Sequence, residues 1–345
     1  MPYEVRSTEK LRKSGSETET KALLYLMNFR DDSDDIYYFV IDFFNDLTGM
    51  DRMATCLWDV QSKGTRKTGP KAIGRELVTL FKNFVSEITF KSYILFIEEV
   101  SGAFRKNSML TVFGIENVKD KAIELVRKGL IEEGRAKSYI DNTSLTDINI
   151  DNFLSLVTFV VNDKEPRDYV KAIIKRHPKI IPEDKVLDAI FNEIRDKQSS
   201  KKNICDVEGV IVETTDAAIN YYRHLTSNEI RLMTLQRIIN RDPLHAGVPI
   251  SFIPVFKDCP PEQHQEVLDD CQAALCRALF NKNTADGFWL LFENVYELIV
   301  ERPTDTVDQL FREIRGRSDC INACPDFNVT SLKYFIATIK DGLQK

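Results

Sequence analysis

A short segment of the chain places side chains suited to phosphodiester chemistry on one strand face. The segment from residue 54 to residue 63 is predicted as a strand. Because side chains alternate along a strand, Asp59, Gln61 and Lys63 share a face. Asp46 ends the strand predicted before it. Buried polar groups are costly without partners, so three in a row indicate a site rather than core.

The residue types indicate hydrolysis assisted by a divalent cation. Carboxylate and amide oxygens are ligands that Mg²⁺ or Mn²⁺ prefers. Such an ion lowers the pKa of a bound water, and a nearby ammonium group orients that water or stabilises the developing oxyanion. We therefore predict Asp46 as the principal metal ligand, Gln61 as a second oxygen ligand and Asp59 as a lesser one. Lys63 is predicted to act on the water or the transition state.

Hydrophobic spacing predicts the elements that position these residues. The predicted order is a helix from residue 16, strands at 36–47 and 54–63 joined by a polar corner at 49–52, a helix from Pro70, and a buried strand at 92–100. Beyond about residue 108 most apolar residues recur at helical spacing. The sequence therefore predicts an α/β N-terminal part followed by a mostly α-helical C-terminal region.

The motif residues resemble a known nuclease superfamily. Asp46 followed by Gln61-x-Lys63, with the stretch from residue 58 to 63 and Ile73-Gly74-x-Glu76-Leu77, is similar to PD-(D/E)xK nucleases in their QxK variant. The likeness covers roughly residues 16–100, and the helix-strand-QxK-helix-strand layout is similar to the double-stranded-DNA endonuclease domains of bacterial anti-phage effectors of CBASS and Lamassu type. It implies a restriction-endonuclease-like N-terminal domain.

The resemblance also implies an activity and partners. It implies a Mg²⁺-dependent DNA endonuclease, the effector subunit of an anti-phage complex that partner proteins, SMC-like subunits among them, hold inactive. Assembly into homo-oligomers would then activate it, because two sites are needed to cut two strands. In this family a helical glutamate completes the catalytic site, and Glu19 is the matching position.

The resemblance suggests a division of the chain into three parts. They are a nuclease core at 1–105, a helical extension at 106–200 and a regulatory, partner-binding helical domain at 201–345. Two alternatives to a DNA endonuclease stay open. One is a non-catalytic scaffold that only grips DNA, and the other is a ribonuclease of the same fold.

A basic run follows the motif. Residues 60–75 contain five basic side chains and no acidic one, namely Lys63, Arg66, Lys67, Lys71 and Arg75. The run lies in a loop and at the start of a helix, whose free N–H groups favour phosphate. We predict that Arg66, Lys67, Lys71 and Arg75 contact the DNA backbone. The alternative is a solvated positive loop.

Bulk composition limits the classes of protein. The net charge of −6 means that any nucleic-acid contact depends on a local basic patch. The sequence has no apolar run of membrane-spanning length and no apolar N-terminal signal segment. Seven scattered cysteines do not form a disulfide framework. These features predict a cytoplasmic protein.

Overall fold

The structure is a computed structural model, and it divides the chain into two compact units. It describes residues 3–5, 13–65, 67–175, 177–317 and 322–344. The first unit comprises Met1–Tyr169 and Asn192–Ser227, and the second comprises Val170–Phe191 and Asn228–Lys345. The first unit is α/β and the second is helical, so the broad prediction of an α/β part and a helical part is confirmed.

The first unit is built on a mixed sheet of seven strands. In sheet order these are β6 (Val112–Phe113), β7 (Val157–Val161), β5 (Ser92–Ile97), β4 (Leu57–Lys63), β3 (Leu47–Met50), β2 (Tyr38–Ile41) and β9 (His224–Thr226). A separate two-stranded sheet joins β1 (Tyr3–Glu4) to β8 (Ile211–Val212). The helices of this unit, including parts of two that continue into the second unit, are α1 (Lys13–Asn28), α2 (Pro70–Glu76), α3 (Val78–Phe84), α4 (Asp120–Ala136), α5 (Asp147–Leu156), α6 (Pro166–Ile173) and α7 (Asp184–Lys202).

Three adjacent strands of the sheet, β7, β5 and β4, run parallel. β4 pairs with β5 and β5 with β7 in parallel, whereas β2, β3 and β4 form antiparallel pairs. Strand β5 is almost entirely buried, as expected for a parallel strand covered on both faces. Helices cover β4 on both sides: Trp58 bonds to Asp32, just after α1, and Gln61 on the opposite face bonds to Thr79 of α3.

The prediction of one strand from residue 36 to 47 was wrong. The chain leaves β2 at Ile41, passes through a loop at 42–46 and re-enters the sheet as β3. Asp42 adopts a left-handed φ of 51°, and its N–H donates to the carbonyl of Asp46, which closes the loop. Asp42, Phe44 and Asp46 therefore do not share a strand face, and Asp46 precedes β3 instead of ending β2.

Other boundaries also differ from the predicted ones. The predicted corner at 49–52 overlaps strand β3, and the turn follows it at Asp51. The helix from Pro70 is interrupted at Leu77, so α2 and α3 are separate. The sheet includes β7 and β9, so the first unit is not confined to residues 1–105, and no unit boundary falls at 105 or 200.

The second unit has its own core. Its helices are α8 (Ser227–Ile239), which begins at the last residue of the first unit, α9 (His264–Phe280), α10 (Ala285–Glu301), α11 (Val307–Arg315) and α12 (Val329–Leu343). The apolar stripe of α10 is buried, with Phe288, Phe292 and Val295 each at most 1% exposed, so it forms core. Within the described residues, none of the helices combines the length and hydropathy required to cross a bilayer.

Two glycines let helices α2 and α4 cross at very short distance. A Cβ at Gly74 would lie 2.0 Å from the carbonyl oxygen of Val126, and one at Gly129 would lie 2.1 Å from that of Lys71. Any side chain at either position would push the two backbones apart. This crossing positions α2, which carries Glu76 beside the candidate site.

We expect Gly74→Ala and Gly129→Ala each to lower the free energy of unfolding by roughly 1–3 kcal/mol, as overpacking does. Alanine favours the helix by about 1 kcal/mol, but that gain is smaller than the cost of a clash with a backbone carbonyl. Urea denaturation followed by fluorescence measures the change. Gly102→Ala is the control, since a Cβ there has nothing within 4 Å. Equal midpoints for all three variants would contradict the tight crossing.

Candidate active site

The carboxyl group of Asp46 joins the loop at 42–46 to strand β4. Its Oδ2 accepts hydrogen bonds from Gln61 Nε2 at 2.7 Å, from Ser62 N at 2.9 Å and from Ser62 Oγ at 2.9 Å. The strand register explains the contact. Leu47 of β3 pairs with Val60 of β4 in an antiparallel arrangement, so Asp46, just before β3, lies opposite Gln61. The structure thus brings together Asp46 and Gln61, two of the residues singled out from the sequence.

The polar face of β4 is matched by a polar face on helices α2 and α3. The Lys63 ammonium lies 3.0 Å from Glu76, Thr79 Oγ1 donates to Gln61 Oε1, and Asn83 Nδ2 donates to Asp59 at 2.7 Å. Residues two apart share one face of a strand, and residues three or four apart share one face of a helix. The three pairs therefore follow one another along the interface between β4 and these helices. We call these three pairs the polar ladder. Lys63 is thus the rung next to Gln61, and its ammonium pairs with Glu76.

Asp59 occupies the inner end of the polar ladder and is 0% exposed. Asn83 bridges it to Tyr3, whose hydroxyl donates to Asn83 Oδ1 at 2.7 Å. Burial raises the pKa of Asp59 to about 7, although hydrogen bonds from Asn83 oppose the rise. Asp59, the lesser metal candidate, is thus placed in the core network, where it accepts a hydrogen bond from Asn83.

Helix α1 brings Glu19 close enough to Asp46 for their charges to interact. Glu19 Oε2 lies 2.7 Å from the ammonium of Lys202, the last residue of α7, and both side chains are about seven-eighths buried, with exposures of 13% and 12%. Burial, and next the negative charge of Glu19, raise the pKa of Asp46 to about 7. The two carboxyl groups are therefore close enough to repel each other.

Glu19, Asp42 and Asp46 form what we call the acidic cluster. Two cations that were not predicted from the sequence partly neutralise it. Lys202 is the first, and the second is Arg223, whose Nη2 lies 3.1 Å from Asp42 Oδ2. Arg223 is 4% exposed, and within the described part of the chain its Nε has no hydrogen-bond partner. Both belong to the segment 192–227, which returns to the first unit after the chain has entered the second. No local motif marks either residue.

The basic run is partly neutralised. Lys71 and Arg75 both pair with Glu132 of α4, at 2.8 and 3.5 Å, and all three side chains keep 39–50% of their exposure. Lys67 is exposed and has a left-handed φ of 55°. Arg66 lies outside the described residues. The run therefore offers the exposed Lys67 and two half-exposed cations that share a carboxylate.

Three side chains near Asp46 carry oxygens of the kind that a hard cation prefers. Asp46 and Glu19 supply carboxylate oxygens, and their mutual repulsion makes a bound cation favourable. Gln61 turns its amide nitrogen towards Asp46 and its oxygen towards Thr79, so its amide must rotate to bind the same ion. Among the residues described, no group of three or more His, Cys, Asp or Glu is arranged to hold a metal. The side chains that could hold a metal here are thus two carboxylates and, after rotation, one amide.

We expect Asp59→Asn to stabilise the protein at high pH. A carboxyl group whose pKa is raised in the folded state stabilises the folded protein while it is protonated. This stabilisation decreases from about pH 4 upward, and above about pH 7 the folded protein bears the full free-energy cost of the buried, ionised carboxylate. A shift of about three units corresponds to at most about 4 kcal/mol. The amide keeps an acceptor for Asn83 but takes no charge.

Urea denaturation at pH 5 and pH 8 measures this effect. The stabilisation by Asp59→Asn should be clearly larger at pH 8. The control Asp34→Asn, at an exposed position, should change the free energy of unfolding little at either pH. An Asp59→Asn variant that is less stable than the wild type at pH 8 would show that the folded protein needs the ionised carboxylate.

Comparison with known proteins adds no family to this description of the site. Neither a protein-family model, nor a curated protein, nor a solved structure matches the chain. The assignment of function therefore rests on the side chains and contacts of this molecule.

Proposed function

We propose that the first unit hydrolyses DNA phosphodiester bonds with the help of Mg²⁺ or Mn²⁺. The observation that carries the proposal is the contact between Asp46 and Gln61 across two neighbouring strands, 2.7 Å between Nε2 and Oδ2. Lys63 follows two residues later on the same strand face. These are the three residues of the Asp…Gln-x-Lys pattern, of which Asp46 and Gln61 are in contact and Lys63 is the next residue on the same face of β4.

Each side chain has a role that its position supports. Asp46, the rotated amide of Gln61 and Glu19 would hold the cation, which when bound lowers the pKa of a water and offsets charge on the phosphate. Lys63 is about a quarter exposed, so its ammonium can leave Glu76 and donate to the attacking water or to a phosphate oxygen. Lys67 is exposed and can follow the DNA backbone.

Two ion pairs support the idea that the protein rests in an inactive form. Lys63 is paired with Glu76 and Glu19 with Lys202, so two of the proposed catalytic groups have partners that substrate or metal would have to replace. In the proposal, binding of double-stranded DNA and assembly with partner proteins or further copies, as in an anti-phage complex, supplies the free energy for this exchange.

The direct test is cleavage of supercoiled plasmid by the full chain in Mg²⁺ or Mn²⁺, with EDTA as the metal-free control. We expect Lys63→Ala and Asp46→Asn each to reduce the cleavage rate by about 10²-fold or more, the usual cost of losing a group that stabilises the transition state. Lys121→Ala, at an exposed position on α4, is the matched control and should cleave at the wild-type rate.

Three results would point elsewhere. Cleavage that persists in Asp46→Asn would remove this site from the reaction. A wild-type chain that retards duplex DNA in a gel but leaves the plasmid intact, alone and after assembly with partners, favours the non-catalytic scaffold. The observation that supports the scaffold is that Lys63 is paired with Glu76 and Glu19 with Lys202. Degradation of RNA in place of DNA would identify a ribonuclease.

A further inference from the structure

The ammonium of Lys202 lies where a metal-binding site would need positive charge. It contacts Glu19 at 2.7 Å, and it interacts electrostatically with Asp42 and Asp46. Burial lowers the pKa of Lys202, but Glu19 and these two carboxylates raise it by more, so the pKa ends above its usual value. The lysine is therefore a charged, nearly buried cation that faces the proposed metal ligands.

Helix α7 holds Lys202 firmly in this place. One turn earlier, Gln198 is 2% exposed and its Oε1 accepts a hydrogen bond from Thr20 Oγ1 of α1 at 2.8 Å. Gln198 and Lys202 thus bind consecutive residues of α1, Thr20 and Glu19. Lys202 also ends the helix, where a positive charge interacts favourably with the helix dipole. The contact of α7 with α1 at Gln198 therefore places the end of α7, and with it Lys202, next to Glu19.

We propose that Lys202 is the resident counter-ion of Glu19 and Asp46, and that a divalent cation binds these carboxylates only by displacing its ammonium from Glu19. The inference rests on the proposed metal-dependent function. Lys202 is a positioning residue in this scheme: it holds Glu19 in place without metal and weakens metal binding by repulsion. Arg223 stays on Asp42 and is not displaced.

The chain offers a matched control in Lys21. This lysine lies on α1, two residues after Glu19, and like Lys202 it is nearly buried, at 8% side-chain exposure. It pairs with Glu17 at 3.1 Å and with Glu98 at 3.3 Å. Glu98 is bound in addition by Thr18 and Asn162. Lys21→Met therefore removes a buried lysine from a carboxylate pair without touching Glu19.

The test is isothermal titration of Mn²⁺ into the full chain, a readout independent of DNA cleavage. We expect Lys202→Met to bind Mn²⁺ at least about tenfold more tightly than wild type, because a nearby positive charge is removed. Lys202→Arg, which keeps the charge, and Lys21→Met should bind as wild type does. Circular dichroism checks folding, and Lys202→Gln replaces Lys202→Met if that variant does not fold.

The outcomes separate the inference from the proposed function. If Lys202→Met and Lys202→Gln bind Mn²⁺ no more tightly than wild type, while Asp46→Asn abolishes binding, the metal site stands and the role of Lys202 is overturned. If Asp46→Asn leaves binding unchanged, the proposed metal site fails and the inference with it. Binding that appears only in the Lys202 variants, and is lost again when Asp46→Asn is added, supports both.

Discussion

The carboxyl group of Asp46 is the constraint on which this end of the first unit depends. A partly buried carboxylate is costly unless hydrogen bonds and opposite charges compensate for its lost hydration. Three hydrogen bonds from Gln61 and Ser62 satisfy one oxygen and fix the loop at 42–46 against β4. The same carboxyl repels Glu19, and the ion pair of Glu19 with Lys202 offsets this repulsion. Loop, strand and two helices are thus coupled through one charge.

Local patterns were enough to predict β4 and its polar face. The strand predicted at 54–63 contains β4, which begins three residues later at Leu57. The alternation of Asp59, Gln61 and Lys63 agrees with the structure, because alternation depends only on strand geometry. The neighbouring strand was predicted wrongly, since the aromatic residues from Ile36 to Leu47 conceal a loop. The left-handed conformation of Asp42 that opens this loop depends on tertiary contacts, and aspartate tolerates it without any glycine to mark it.

The polar face of β4 is compatible with two interpretations, a functional site and a set of structural hydrogen bonds and ion pairs with the neighbouring helices. From the sequence it indicated a site because no partner was evident, yet the structure gives each residue a partner on α2 or α3. The signal was present: Glu76, Thr79 and Asn83 are spaced by three and four residues on one helical face. A polar stripe on a strand and one on the next helix predict a ladder as well as a site. Gln61 belongs to both, because its amide bonds to Thr79 in the polar ladder and to Asp46 in the candidate site.

The cations of the acidic cluster could not be predicted from local patterns, and they decide its charge. Lys202 and Arg223 lie far along the chain from Asp46 and approach it only because the segment 192–227 returns to the first unit. With all groups ionised, Glu19, Asp42 and Asp46 carry three negative charges and the two cations carry two positive ones. Adding a divalent ion to this set would turn a net charge of about −1 into about +1 in a poorly hydrated space, where uncompensated charge is costly. If the ammonium of Lys202 moves out to solvent as the metal enters, the net charge becomes about zero. Charge balance therefore favours exchange of one cation for the other over simple addition.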